Sequence, residues 1–234
     1  MGLVSKRFSV SCALVSCMAA ALLIGGCDAF SSLSIPAPDG FVGTSKEFPK
    51  AYAWVSKLVV LDKRVPMAVA EFMIEDKDAT VLRSGHGQPA LERYLVDVRN
   101  PDDPYFSEDQ FEQYVLHVRN QGLSAPSDAL LRQLIDQAPD MVGPNGELAT
   151  SMSIHGDTNL GIAVDQPHAI GNAYVMLASV DGESRRMVMV SESVWLRGHI
   201  VTLKVFSRLR DASDLKWARE EAGAWAAKAA TANR

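Results

Sequence analysis

The sequence predicts an α+β domain: an antiparallel sheet ending in a C-terminal three-strand meander, packed against helices as a layer sandwich. Three observations predict it. Strand and helix patterns mix in the first half, strand patterns separated by tight-turn dipeptides run from Tyr174 to Leu209, and an Ala-rich helical pattern closes the chain.

The chain begins with a leader. Lys6 and Arg7 supply a short positive region, and the 17 residues from Phe8 to Ile24 carry no charge. That run is slightly short for a spanning helix and suits the apolar core of an export signal; an uncleaved membrane anchor is the alternative. It ends in Ile24-Gly25-Gly26-Cys27, where two glycines offer a peptidase small side chains and extended backbone. The stretch resembles the lipobox of bacterial lipoproteins. The resemblance implies a diacylglycerol on the Cys27 thiol, removal of residues 1–26, and acylation of the new amino group. Acyl chains add about 0.8 kcal/mol per buried methylene, so two or three anchor durably where one does not. Asp28 follows directly. In enterobacterial lipoproteins an aspartate there resembles the inner-membrane retention signal, so inner membrane is expected, with outer membrane as the alternative.

Residues 27–49 are expected to form a lipidated tether and residues 50–234 a single α+β domain. Ile35-Pro36-Ala37-Pro38-Asp39-Gly40 favours extended backbone and then a turn. Tyr52 to Leu61 is apolar, and helix and strand stay open for it. Val65 to Ile74 reads as a strand and Asp76 to Arg83 as a short helix ended by Gly85 and Gly87. Leu91 to Arg99 alternates, with Tyr94, Val96 and Val98 to one side and Arg93, Asp97 and Arg99 to the other. After the break at Asn100-Pro101-Asp102-Asp103-Pro104, Ser107 and Gln110 have capping-box spacing. Phe111, Tyr114, Val115 and Val118 form an inward stripe, and Gly122 suits a C-terminal cap.

A second helix is expected from Ser127 to Gln137, ahead of Pro139, and an irregular loop from Asp140 to Asn159. Strands then run over Tyr174–Val180, Arg186–Leu196 and Ile200–Leu209, joined at Asp181-Gly182 and Arg197-Gly198. In the last strand Val201, Leu203 and Val205 face a core while Thr202, Lys204 and Arg208 face water. The final helix spans Asp211 to Thr231, with Leu215, Ala218, Ala222, Trp225, Ala226 and Ala229 toward the sheet.

In element order, in the entry Ile35-Pro36-Ala37-Pro38-Asp39-Gly40-Phe41 and in the final hairpin Ser193-Val194-Trp195-Leu196-Arg197-Gly198-His199-Ile200-Val201 followed by a helix, the body resembles the PsbP/Mog1-like α/β/α group. That group includes small bacterial lipoproteins, and the resemblance implies binding or assembly work more than enzymology.

The 234 residues less the 26 of the leader leave 208, enough for a core without staples. Cys12, Cys17 and Cys27 all lie in the leader or at its edge, which excludes disulfides, cysteine catalysis and Cys-type zinc sites from the body. Taking Lys6 and Arg7 from the 23 basic residues leaves 21 against 28 acidic ones, a net charge of −7. With no basic cluster, nucleic acid is not an expected partner; the expected contact is the membrane, through the acyl chains, and an envelope protein or small ligand.

His86, His117, His155, His168 and His199 lack the i, i+4 partner of a His-Glu-x-x-His metal site, and no metal or cofactor is expected. Ser153-Ile154-His155-Gly156-Asp157 puts a hydroxyl, an imidazole and a carboxylate close together, though five adjacent residues rarely fold onto one another as a triad. Ser213-Asp214-Leu215-Lys216 matches Ser-x-x-Lys without a Lys-Thr-Gly partner and reads as a helix start. The long polar segment makes His155, Asp157 and Asn159 a candidate binding loop. Two functional expectations follow: a non-enzymatic periplasmic binding or accessory lipoprotein, or a lipid-anchored hydrolase or metal-dependent enzyme using residues 153–159. A structural domain without a ligand is the third.

Overall fold

The computed structural model describes residues 33–59, 67–87, 89–102, 105–121, 152–180 and 183–234. The leader, Cys27, Asp28, the cap at Gly122, the helix expected from Ser127 to Gln137, the loop up to residue 151 and the Asp181-Gly182 turn lie outside them. Among the described residues there are seven strands: β1 (Phe41–Gly43), β2 (Ala68–Glu75), β3 (Arg93–Arg99), β4 (Met152–Gln166), β5 (Ala169–Val180), β6 (Glu183–Leu196) and β7 (His199–Arg208). They form one antiparallel sheet in the order β1-β2-β3-β7-β6-β5-β4. Four helices accompany them: α1 (Pro49–Val59), α2 (Asp76–Ser84), α3 (Glu108–Asn120) and α4 (Ala212–Ala232). The class is α+β, as expected.

The strand run is longer than the sequence pattern indicates. The expected strands correspond to β5, β6 and β7, and β4 precedes them, so four consecutive strands are neighbours. Residues 152–159, expected in a loop, belong to β4. Their polar, glycine-bearing composition is tolerated because β4 is an edge strand among the described residues, pairing there with β5 alone. Its register shifts between His155 and Asp157 and again between Asn159 and Ile162, absorbing Gly156 and Gly161 as irregularities.

Local chemistry explains the helices. Pro49 opens α1 at the position where a missing N–H costs nothing, and Ala51 and Val55, four apart, are buried. That settles the Tyr52 region as helix. Gly85, with φ of 66°, ends α2. Ser107 caps α3 through a complete box: its Oγ accepts from Gln110 N at 3.3 Å while Gln110 Oε1 accepts from Ser107 N at 2.8 Å. Ser107→Ala is expected to lower stability by about 1 kcal/mol. Urea denaturation checks this, and an unchanged midpoint would mean that the box contributes nothing.

Among the described residues, the two sides of the sheet pack with different helices. Residues opposite one another on antiparallel strands project to the same side. Tyr94, Val96 and Val98 share one side with Phe206, Phe72 and Ile74, where Ala51 and Val55 of α1 and Ala79 of α2 join one apolar cluster. Farther along this side, Phe111 and Val115 of α3 pack with Ile170, Trp195 and Ile200. Arg93 projects to the other side, where its guanidinium lies 4.2 Å from the Trp217 ring centre of α4. Leu215, Ala218, Ala222, Trp225, Ala226 and Ala229 of α4 are buried there.

The domain starts earlier than residue 50: Ser34–Arg234 forms one compact unit. Ser34 exchanges hydrogen bonds with the Asn233 side chain, Trp225 Nε1 donates to Pro36 O at 3.1 Å, and Lys228 Nζ donates to Ala37 O and Asp39 Oδ1. Phe41 stacks on Trp217 and enters the sheet through β1. The proline-rich stretch from Ser34 onward is therefore docked structure, because α4 supplies donors for its otherwise unpaired carbonyls.

Candidate functional site

The sheet side that carries α1 and α3 holds a polar strip between their two apolar clusters. Asn172, Ser191, Lys204 and Val96 stand opposite one another across β5, β6, β7 and β3. The neighbouring row is Ile170, Ser193, Thr202 and Val98. Beyond one row lie Tyr174, Met189, Phe206 and Tyr94, with Tyr94 and Phe206 stacked at 4.6 Å. Beyond the other lie Trp195 and Ile200. Tyr114 of α3 reaches the strip, its hydroxyl 3.1 Å from Ser193 Oγ. Burial pushes the Tyr94 phenol above its ordinary range, so it stays neutral.

Lys204 sits at the middle of this strip, on the fourth of seven strands. It was expected to face water, and it is partly buried. Among the described residues its Nζ has no hydrogen-bond or ion-pair partner, and burial lowers its pKa. The nearest carboxylates along the chain project away. Glu192, between Ser191 and Ser193, shares the α4 side with Asp97, Leu203 and Gly171. Asp97 pairs there with Arg99 at 2.8 Å.

Among the described residues, these two rows offer one cation with several hydroxyl and amide groups and no carboxylate. That chemistry holds an anion or a hydrogen-bonding ligand. The signal was present in the sequence: the Arg197-Gly198 turn, once paired as a two-residue hairpin, sets Ser191 against Lys204 and Ser193 against Thr202. Alternation by itself assigns Thr202 and Lys204 of the last strand to water.

The candidates named from sequence are dispersed. His155 and Asp157 lie on β4, opposite Leu177 and Met176, and their side chains are outside the described atoms. Asn159 Oδ1 accepts from Gly161 N at 2.8 Å, closing a local turn where β4 shifts register. His86 is exposed beside Ser84, and His117 is exposed on α3 with Nε2 3.0 Å from Gln121 Nε2. His168 stacks on Trp195, and His199 meets Tyr105 edge-on. Ser213 bonds the α4 capping residue Asp211, while Lys216 pairs at 3.8 Å with Glu220 on the exposed face. Among the described residues no three His, Cys, Asp or Glu side chains converge as a metal centre requires.

No family model, curated protein or solved structure matches the chain.

Proposed function

We propose that this chain is a bacterial envelope lipoprotein, held at the periplasmic face of the inner membrane by acyl chains on Cys27, whose body binds a partner or small ligand without catalysing a reaction. The observation that carries the binding reading is the polar strip around Lys204, set between apolar clusters on a sheet that is otherwise packed on both sides. The leader and Ile24-Gly25-Gly26-Cys27 carry the anchoring, and Asp28 the choice of membrane. The body is then a layer sandwich, with the hairpins after β4 as its meander, of the sort the PsbP/Mog1-like group uses for binding.

Cys27→Ala is expected to abolish fatty-acid labelling and to leave an unprocessed precursor. Metabolic labelling with a palmitate analogue, together with detergent partition, checks this; normal labelling of the variant would sink the anchor. Esterase or phosphatase turnover that disappears in His155→Ala would overturn the non-enzymatic reading.

A further inference from the structure

Lys204 stands out among the charged groups of the sheet. Partly buried at mid-sheet and without an ion-pair partner among the described residues, its ammonium is a charge that a ligand's oxyanion can meet. Its surroundings are donors: Ser191 directly opposite, Thr202 two residues back on the same side, Ser193 diagonal to it, and Asn172 one strand farther. Tyr114 adds a hydroxyl from above Ser193. The mature chain has an excess of acids, yet Asp97 and Glu192, the acidic residues of β3 and β6 nearest to this row, belong to the opposite side.

We propose that the strip is an oxyanion-binding site, in which Lys204 Nζ and the hydroxyls of Ser191, Ser193 and Thr202 hold a carboxylate or phosphate group of the ligand. This deepens the binding reading and rests on it. Nothing is transferred in the site; the ammonium supplies charge and the hydroxyls supply direction, the usual division between a point charge and oriented donors. A free anion and a lipid headgroup share this chemistry.

The test uses the mature acylated protein in mild detergent. Titration with inorganic phosphate, followed by backbone amide shifts or calorimetry, is expected to give saturable binding that weakens about 10–100-fold in Lys204→Met, the loss of a charge-assisted hydrogen bond. The same variant should melt at the parent's temperature, since Lys204 has no ion-pair partner among the described residues to lose; a lysine with a merely structural role would melt lower. Lys216→Met on the exposed face of α4 should bind as the parent does. Micelles doped with phosphatidylglycerol, set against undoped micelles, separate the two sources: competition with phosphate by the doped ones alone assigns a headgroup, and none assigns a free anion.

Absence of saturable phosphate binding, or binding that survives Lys204→Met, overturns the anion assignment. Native mass spectra of protein from its own membrane then tell the two readings apart. An adduct retained by Lys204→Met leaves a binding face for a neutral ligand, whereas no adduct on any form removes the binding reading as well.

Discussion

Trp225→Ala is expected to cost about 3–5 kcal/mol, a large part of what a domain of this size holds. Trp225 is wholly buried in α4, among the alanines that let the helix approach the sheet closely. Truncation leaves a cavity that small neighbours cannot fill, because Ala218, Ala222, Ala226 and Ala229 have no side chain to extend into it. It also removes the donor to Pro36 O, at 3.1 Å, loosening the docked entry segment. Urea denaturation should show a much lower midpoint, and proteolysis should open the chain near residues 34–40 first. A variant within about 1 kcal/mol of the parent would mean that α4 is not the second wall of the core.

Glu192→Met is expected to act in the opposite direction, raising stability by about 1–3 kcal/mol near neutral pH. Glu192 is 1% exposed on an inner strand, and neither carboxylate oxygen has a partner among the described residues. Gly171 opposite makes room for it: a Cβ there would come within 2.6 Å of Glu192 Cβ. Arg219 of α4, the helix that covers β6, also leaves Nε and Nη2 buried without a partner, so the two do not neutralise one another.

Burial pushes the Glu192 carboxyl well above the ordinary range. The folded state therefore keeps the proton while the unfolded chain releases it. The stability tied to this group is complete below the ordinary glutamate pKa and is lost as pH rises from there toward the folded value, at up to about 1.4 kcal/mol per pH unit. The advantage of Glu192→Met should accordingly be smallest near pH 4, where only the cost of the unpaired neutral carboxyl remains, and grow as pH rises. Thermal melts of both proteins across that range check it. An advantage that does not change with pH would show that the carboxyl is solvated or paired.

Much of this fold was legible because local chemistry and tertiary packing agree. Ser107 and Gln110 have no competing role, so the capping box reads directly; Arg197-Gly198 takes left-handed backbone at both positions, φ of 51° and 85°, as its hairpin requires. The Ala-rich spacing of α4 was equally direct. Legibility failed where a residue's surroundings depend on distant chain. Residues 152–159 look like a loop because glycine and polar groups weaken strand propensity, and an edge position that tolerates them is a property of the whole sheet. Lys204 looks like a surface residue because alternation records which side it takes, not how far that side is buried. The tether was overextended for the same reason: proline signals extended backbone, and only Trp225, Lys228 and Asn233, some two hundred residues later, reveal that this backbone is held.

The clasp between the entry segment and α4 has a mechanical consequence. Any pull transmitted along the chain ahead of Ser34 meets the Asn233, Trp225 and Lys228 hydrogen bonds before it reaches a strand. Load applied there would fall on the last helix and its C-terminal cap before the seven-strand register.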